Sequence, residues 1–369
     1  MTKVLIPTIH DDIHAAAVAL VLKDMGHDAI RWFCSDLPSC GAASFEIGGD
    51  EPERISIVSS AKALQIGDCD VFWSRRVGEP VASDQLSSAD RAVALKESKV
   101  FVRGLLMSVS RRRFSVNDYE SARSAENKLL QLSAATQVGL TIPPTLISND
   151  PWAVRAFLDR QAEHGSIFKS FKPVTWESNQ GVAIQYTSKV TAHDLPVDAI
   201  LRQTPGIFQR NVPKAFEVRV TCMGGELVAA RLDSQRTQHG VIDWRRAREE
   251  TMQVTALMLP SDVAERCRTL LARLGLVFGC IDFVVTPGGE YVFLEINQMG
   301  QFLWVEETCP ELPLLQMFSD FLVSRDAEFR WKRAGSWISY LDVVDAAVEL
   351  LERDRVIHPR PKPAHIVRE

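Results

Sequence analysis

The stretch GGEYVFLEINQMGQF, residues 288–302, decides the fold. It reads as a β-strand running into a loop, yet its apolar run is interrupted by Glu295 and Asn297. Side chains on a strand point alternately to the two faces of a sheet. Glu295 and Asn297 therefore share a face, and Val292, Leu294 and Ile296 point the other way, toward a core. The segment GCIDFVV just before it is a second strand, joined through the turn TPGG, residues 286–289. A turn with an even number of residues pairs Val285 with Glu290 and sets Asp282 opposite Phe293, on the face of Glu295 and Asn297. Two carboxylates and an amide are an all-oxygen donor set that suits Mg²⁺, an ion that keeps several waters and borrows phosphate ligands. No His or Cys joins them, which disfavours zinc. The solvated face of an ordinary antiparallel sheet has the same spacing.

Working outward, AFEVRVTCMGGELVAARLDSQ (215–235) is a hairpin around Gly224-Gly225. Glu217, Arg219 and Thr221 alternate with Val218, Val220 and Cys222, so they form its polar face. A two-residue turn sets Arg219 and Arg231 on opposite faces. Lys169 lies inside the apolar strand SIFKSF, where a lysine needs a charged partner, and Lys172 follows it. Lys128 sits on a helix read over 118–140, with Ala125, Leu129 and Leu132 on one face and Gly139 as its C-cap. Further helices are read over 261–274 and 310–325.

Near the N-terminus KVLIPTI (3–9), a helical pattern over 11–25 ended by Gly26, and DAIRWF (28–33) follow one another. That order predicts a parallel α/β layer. CDVFWSRR (69–76) reads as another strand, with Arg75 and Arg76 either facing a cleft or held in surface ion pairs. Residues 35–53 read as a loop. At the other end Leu341, Val344, Val348 and Leu351 are spaced 3-4-3, as on an amphipathic packing helix.

The 369 residues are 46% apolar, enough for two or three lobes. A formal net charge of −5 gives no reason to expect nucleic-acid binding. No apolar run is long enough for a membrane span, and MTKVLIPTIHDDIH does not read as a signal peptide. The seven cysteines are scattered and include no CxxC pair, which fits reduced thiols in a cytoplasmic protein.

Neither a GxxxxGK[ST] loop nor a GxGxxG after a strand is present, so a nucleotide must be held by other means. The order NKLLQLSAATQVGLTIPPTLISND, IFKSF, IFQRNVPKAFEVRVTCMGGELVAARLDSQ, IDWR, GCIDFVV and FLEINQMGQFLW resembles the ATP-grasp ligases. More narrowly it is similar to the ATP-grasp maturases of microviridin-type ribosomal peptides, the graspetides. The resemblance spans about residues 115–310.

It implies an α/β (α+β) architecture with two lobes clamping ATP. On that resemblance residues 1–115 would form an N-terminal α/β domain, 116–205 a small lobe, 206–325 a C-terminal lobe with the Mg²⁺ site, and 326–369 a helical tail. It implies that Lys128 and Lys169, with Lys172 beside them, reach the ATP phosphates. The resemblance places Gln209, Arg210 and Val212 in the hinge whose backbone would read adenine, and Glu217 near the ribose. By the same resemblance Asp282, Glu295 and Asn297 would hold Mg²⁺, and Arg219, with Arg231 less securely, would meet the transferred phosphate. Asp233, Gln235, Asp243 and Arg245 are candidates for peptide contacts, or ordinary loop polarity. The loop after Lys169 has one glycine, a departure from a glycine-rich phosphate cover.

The implied activity is ADP-forming activation of a carboxylate as an acyl phosphate, then attack by an amine or hydroxyl. The substrate would be a ribosomal precursor peptide, leader plus core, joined through ω-ester or ω-amide bonds. A ligase for free amino acids or other small metabolites shares all of this chemistry. A nucleotide-binding regulatory protein without turnover is a further alternative. The resemblance suggests a homodimer.

Overall fold

The computed structural model describes all residues except 60–61, 173–174, 179–180, 185–186, 238–251, 333–334, 360–365 and 369. Side chains are described at all of the remaining positions except 51–52, 59, 62, 175–178, 181–184 and 366–368. The chain opens with β1 (Lys3–Thr8), α1 (Ile13–Asp24) and β2 (Asp28–Phe33), the expected parallel unit. Asp12 caps α1 by accepting the backbone N–H groups of His14 and Ala15. About half of the stretch read as a loop is strand: β3 (Ala42–Gly48) and the start of β4 (Glu51–Ser59) lie in it, and with β5 (Lys62–Gln65) they form an antiparallel sheet of three. Its strands keep few of their described apolar side chains buried, which hid them from a periodicity reading; among the described side chains of the three strands only Ile55 and Ile57 of β4 are almost fully enclosed. Short β6 (Val71–Phe72), helix α2 (Ser88–Ser110) and β7 (Phe114–Ser115) complete a parallel sheet in the order β2-β1-β6-β7.

The helix read over 118–140 is two helices, α3 (Tyr119–Ala125) and α4 (Lys128–Gln137). Asn127 breaks it: its Oδ1 accepts the N–H groups of Leu129 and Leu130 and so restarts the chain as a new helix. Lys128 is thereby the first residue of α4. Gly139 follows in the left-handed region, φ +78°, as expected of a C-cap. Then come β8 (Thr145–Ser148), α5 (Pro151–Arg160), β9 (Ser166–Lys169), β10 (Thr175–Ser178), β11 (Gly181–Ile184), β12 (Ser188–Val190), α6 (Asp198–Leu201) and β13 (Gly206–Arg210). A sheet in the order β12-β9-β13-β8 is antiparallel throughout and packs Phe168 and Phe208 against α5.

The next strands belong to another sheet, so residues 211–215 cross between the two. β14 (Phe216–Met223) and β15 (Glu226–Leu232) form the expected hairpin about Gly224-Gly225. β16 (Val254–Leu257), α7 (Ser261–Arg273), β17 (Phe278–Val285) and β18 (Tyr291–Asn297) follow, giving an antiparallel sheet in the order β16-β15-β14-β17-β18. One face of it buries Val218, Val220, Ile281, Phe283, Phe293 and Ile296 against α4 and α7.

The helix read over 310–325 is α9 (Leu314–Ser324), preceded by the short α8 (Leu303–Thr308). Helix α10 (Tyr340–Ile357) packs on α1, and β19 (Ile366–Arg368) runs parallel to β10. The buried stripe of α10 is Tyr340, Ala347, Leu351 and Asp354, while Leu341 and Val348 face solvent. The stripe is thus rotated from the expected one, because Asp354 pairs with Arg31 of β2 and takes a buried place that no apolar count would give it.

Candidate functional site

The turn between β17 and β18 aligns Val285 with Tyr291, one residue off the expected pairing, and Thr286 N–H donates to Glu290 O at 3.0 Å. Continued without interruption, that register would set Asp282 opposite Leu294, with Glu295 on the wrong face. A β-bulge intervenes. Phe283 still pairs with Phe293, but Asp282 pairs with Glu295 and Cys280 with Asn297. Leu294 is the extra residue, half-buried. Val292 pairs with Val284 on the site's side of the sheet, and Phe293 and Ile296 both enter the core, correcting the simple alternation expected for Val292, Leu294 and Ile296.

Asp282, Glu295 and Asn297 therefore converge as expected, by another route. Asn297 Nδ2 lies 3.3 Å from Asp282 Oδ2 and 3.5 Å from Glu295 Oε1. Arg219 stands opposite Asp282 in the neighbouring strand, and its Nη1 donates to both carboxylate oxygens at 2.8 and 2.7 Å. Burial alone would lower the Arg219 pKa, but the Asp282 carboxylate, joined by Cys280 and Glu295, raises it on balance. Lys128 reaches from the start of α4 to Glu295, Nζ to Oε2 at 2.7 Å.

Glu217 is on the same face, two residues before Arg219. It is buried and accepts from Lys214 Nζ at 2.7 Å and Ser234 Oγ at 2.8 Å. Burial pushes its pKa up, while Lys214 and Ser234 pull against that shift. Arg231 does not join this set. The Gly224-Gly225 turn pairs it with Val218, on the face away from Arg219. There it lies 4.0 Å over the Phe216 ring and binds Asp233 Oδ1 through Nη2 at 2.8 Å. The catalytic role expected for Arg231 is withdrawn on this geometry. Asp233 is buried with that arginine, and half-buried Gln235 follows, 3.5 Å from Ser234 Oγ. Asp243 and Arg245 lie outside the described residues.

In the four-stranded sheet Lys169 ends β9 opposite Ile207, half-buried, on the face away from Phe168 and Phe208. Lys172 is exposed. Gln209 is buried, donates to Thr145 Oγ1 at 2.9 Å, and leaves Oε1 without a donor among the described residues. Arg210 Nε donates to Gln161 Oε1 at 2.7 Å, and Val212 is half-buried on the crossing between the sheets.

The sequence reading missed the groups that hold the end of β18. Arg75, left between cleft and surface, is buried: Nη1 donates to the carbonyls of Met299 and Gly300 at 2.8 and 2.6 Å, and Nε pairs with Asp12 at 3.0 Å. His14 Nε2 accepts the N–H groups of Phe302 and Leu303 at 3.0 and 3.3 Å. Burial, and after it Arg75, Arg76 and Arg219, push its pKa well down, so it stays a neutral acceptor. Asn117 Nδ2 donates to Phe278 O and Gln298 O, and Gln131 both donates to and accepts from the backbone of Ile296. Only the pair of arginines after VFWS signalled any of this.

The donor set fits Mg²⁺ in kind. Two carboxylates and a side-chain amide, whose oxygen and nitrogen exchange places by a flip, face one point beside cations suited to phosphate.

No protein-family model and no curated protein matches the chain. Solved structures do. A RiPP-associated ATP-grasp ligase of Chryseobacterium gregarium, in complex with ADP and a leader and core peptide, superposes with a TM-score of 0.81 at 24% identity, over 88% of this chain and 98% of that one. The macrocyclase MdnC of Microcystis aeruginosa MRC, bound with precursor peptide MdnA, gives 0.76 at 29% identity over 88% and 100%. The macrocyclase MdnB of the same organism gives 0.72 at 29% over 88% and 99%. The fold is that of the ATP-grasp ligases. Within them, the chain resembles the enzymes that macrocyclise ribosomal peptides.

Proposed function

We propose that this protein is an ADP-forming ligase that activates a side-chain carboxylate of a ribosomal precursor peptide and closes an ω-ester or ω-amide bond. One observation carries the reading: Asp282, Glu295 and Asn297 converge on one sheet face with Lys128 and Arg219 against them, in a chain aligned over nearly its whole length with a peptide-bound macrocyclase at 29% identity.

In this reading ATP lies between the four-stranded and five-stranded sheets, beside the crossing at residues 211–215. The backbone of Gln209 to Val212 meets the adenine, and Glu217 the ribose. Lys128, Lys169 and Arg219 meet the β- and γ-phosphates, with Lys172 at the rim. Asp282, Glu295 and Asn297 would hold Mg²⁺, which supplies charge neutralisation at the phosphate oxygens. The peptide carboxylate attacks the γ-phosphorus and ADP leaves. A side-chain amine or hydroxyl of the same peptide then adds to the acyl carbon, gives up its proton, and inorganic phosphate departs. Arg219, fixed in its charged form, balances the negative charge of the acyl phosphate. Asp233, Gln235, Asp243 and Arg245 are candidates for contacts with the peptide.

The test is incubation with Mg²⁺-ATP and an acidic precursor peptide encoded beside the gene. Loss of one water per bond together with ADP release is expected. AMP release, or no turnover with any peptide while a free amino acid pair is ligated, overturns it.

A further inference from the structure

Four side chains of the site face each other as two ion pairs. Arg219 spans both oxygens of Asp282, and Lys128 holds Oε2 of Glu295 at 2.7 Å. Asn297 turns its amide between the two carboxylates. The carboxylates that would coordinate a cation are thus each opposed by a resident cation, and the set carries no net negative charge.

The two pairs are unlike in mobility. Arg219 is almost fully enclosed, and its other terminal nitrogen, Nη2, donates to Gln301 O at 3.0 Å. Lys128 is different. Its side chain is 23% exposed, on a flexible four-carbon stem, and the Glu295 side chain is 29% exposed. It also stands at the first position of α4, against the positive end of the helix, where a lysine is disfavoured. A polyphosphate gives that ammonium a stronger anionic partner than one carboxylate does.

We infer that Lys128 is a place-holding cation: in the nucleotide-free protein it occupies Glu295 in place of the divalent ion, and it releases the carboxylate only when it moves to a nucleotide phosphate. The inference rests on the proposed ATP site and adds to it an order of events. Free divalent cation meets a neutral cluster and binds weakly. Nucleotide draws Lys128 away, exposes Glu295 and brings its own negative charge, so metal and nucleotide bind together. The device keeps the metal site from filling without ATP.

The experiment titrates the full-length protein with Mn²⁺, reading free Mn²⁺ by electron paramagnetic resonance, with and without a nonhydrolysable ATP analogue. With the Mn²⁺ taken up by the analogue in a protein-free control subtracted, wild type should bind Mn²⁺ at least about tenfold more tightly with the analogue than alone. Lys128→Met should tighten binding of Mn²⁺ alone by about tenfold, and Lys128→Arg should leave it as in wild type. Equal affinity of wild type and Lys128→Met for Mn²⁺ alone overturns the inference. So does wild type binding Mn²⁺ as tightly without the analogue as with it, a comparison that needs no variant to fold. Failure of the analogue itself to bind, with or without Mn²⁺, overturns the ATP-site reading instead.

Discussion

Asp282 stands directly opposite Glu295, and it does so because Leu294 is bulged out of the pairing between β17 and β18. The turn alone would have put Glu295 on the core side, where an unpaired carboxylate costs several kcal/mol. One extra residue converts a mismatched register into a convergent pair of carboxylates, and it also carries Phe293 and Ile296 onto the same apolar face.

Two variants separate the bulge from the ligand. Glu295→Gln keeps the register and removes one negative charge, so ADP release should fall by about 10²-fold or more while thermal stability changes little. Deleting Leu294 removes the extra residue, so Phe283–Phe293 and Asp282–Glu295 become successive pairs of an unbroken ladder with each side chain on its present face. That deletion should leave turnover and the melting temperature close to those of wild type. A Leu294 deletion that loses turnover would show that the local twist of the bulge, and not the register alone, sets the site.

Arg75 should be needed for the site although it touches no ligand in the proposed mechanism. Replacing it with Met leaves Asp12 buried opposite a lost partner and frees the carbonyls of Met299 and Gly300. A cost of about 3–5 kcal/mol is expected from removing one member of a buried ion pair. Denaturant unfolding measures it. Arg75→Lys keeps the charge but loses the fork that reaches Asp12 and two carbonyls together, so it should recover only part of the loss.

Much of the site was legible because strands alternate. Glu217, Arg219 and Thr221 were assigned one face, and the Gly224-Gly225 turn already set Arg231 on the other, as observed. What stayed hidden has no period. The bulge at Leu294 depends on the five-residue loop 286–290, which tertiary contacts select. The buried polar anchors Arg75, His14 and Asn117 look like surface residues until the backbone groups they bind are brought to them from about two to three hundred positions away, or from 160 to 181 in the case of Asn117. The break before Lys128 was written in Asn127, a good N-cap, but the apolar pattern runs across it.

Gly300 should not tolerate a side chain. Its φ is +64°, and an added Cβ would come within 2.3 Å of Phe278 Cζ and 2.6 Å of its Cε1, both in a packed core. Backbone strain and the clash together predict a loss of about 2–4 kcal/mol for Gly300→Ala, with a displaced loop over 298–302. Because Arg75 and Arg219 are both tied to carbonyls of that loop, nucleotide affinity should fall along with the melting temperature.

Glu306 predicts a pH dependence that the nucleotide site does not share. It is buried beneath the starts of two helices, accepting Leu315 N–H at 2.7 Å and Tyr340 N–H at 2.8 Å. Burial raises its pKa from 4.5 to about 7, with the two N–H donors pulling down and Asp342 pushing up. The folded pKa lies above the unfolded one, so the folded protein binds the extra proton. The stability this proton contributes is fully present below about pH 4.5 and is lost as pH rises through about 7. Across that window Glu306 should lower unfolding free energy by up to about 1.4 kcal/mol per pH unit. Glu306→Gln cannot titrate and should remove that slope, although its amide nitrogen faces one of the two N–H donors and the variant should be less stable at every pH. Melting temperatures of both proteins between pH 4.5 and 8 test it. Parallel curves would assign the slope to other groups.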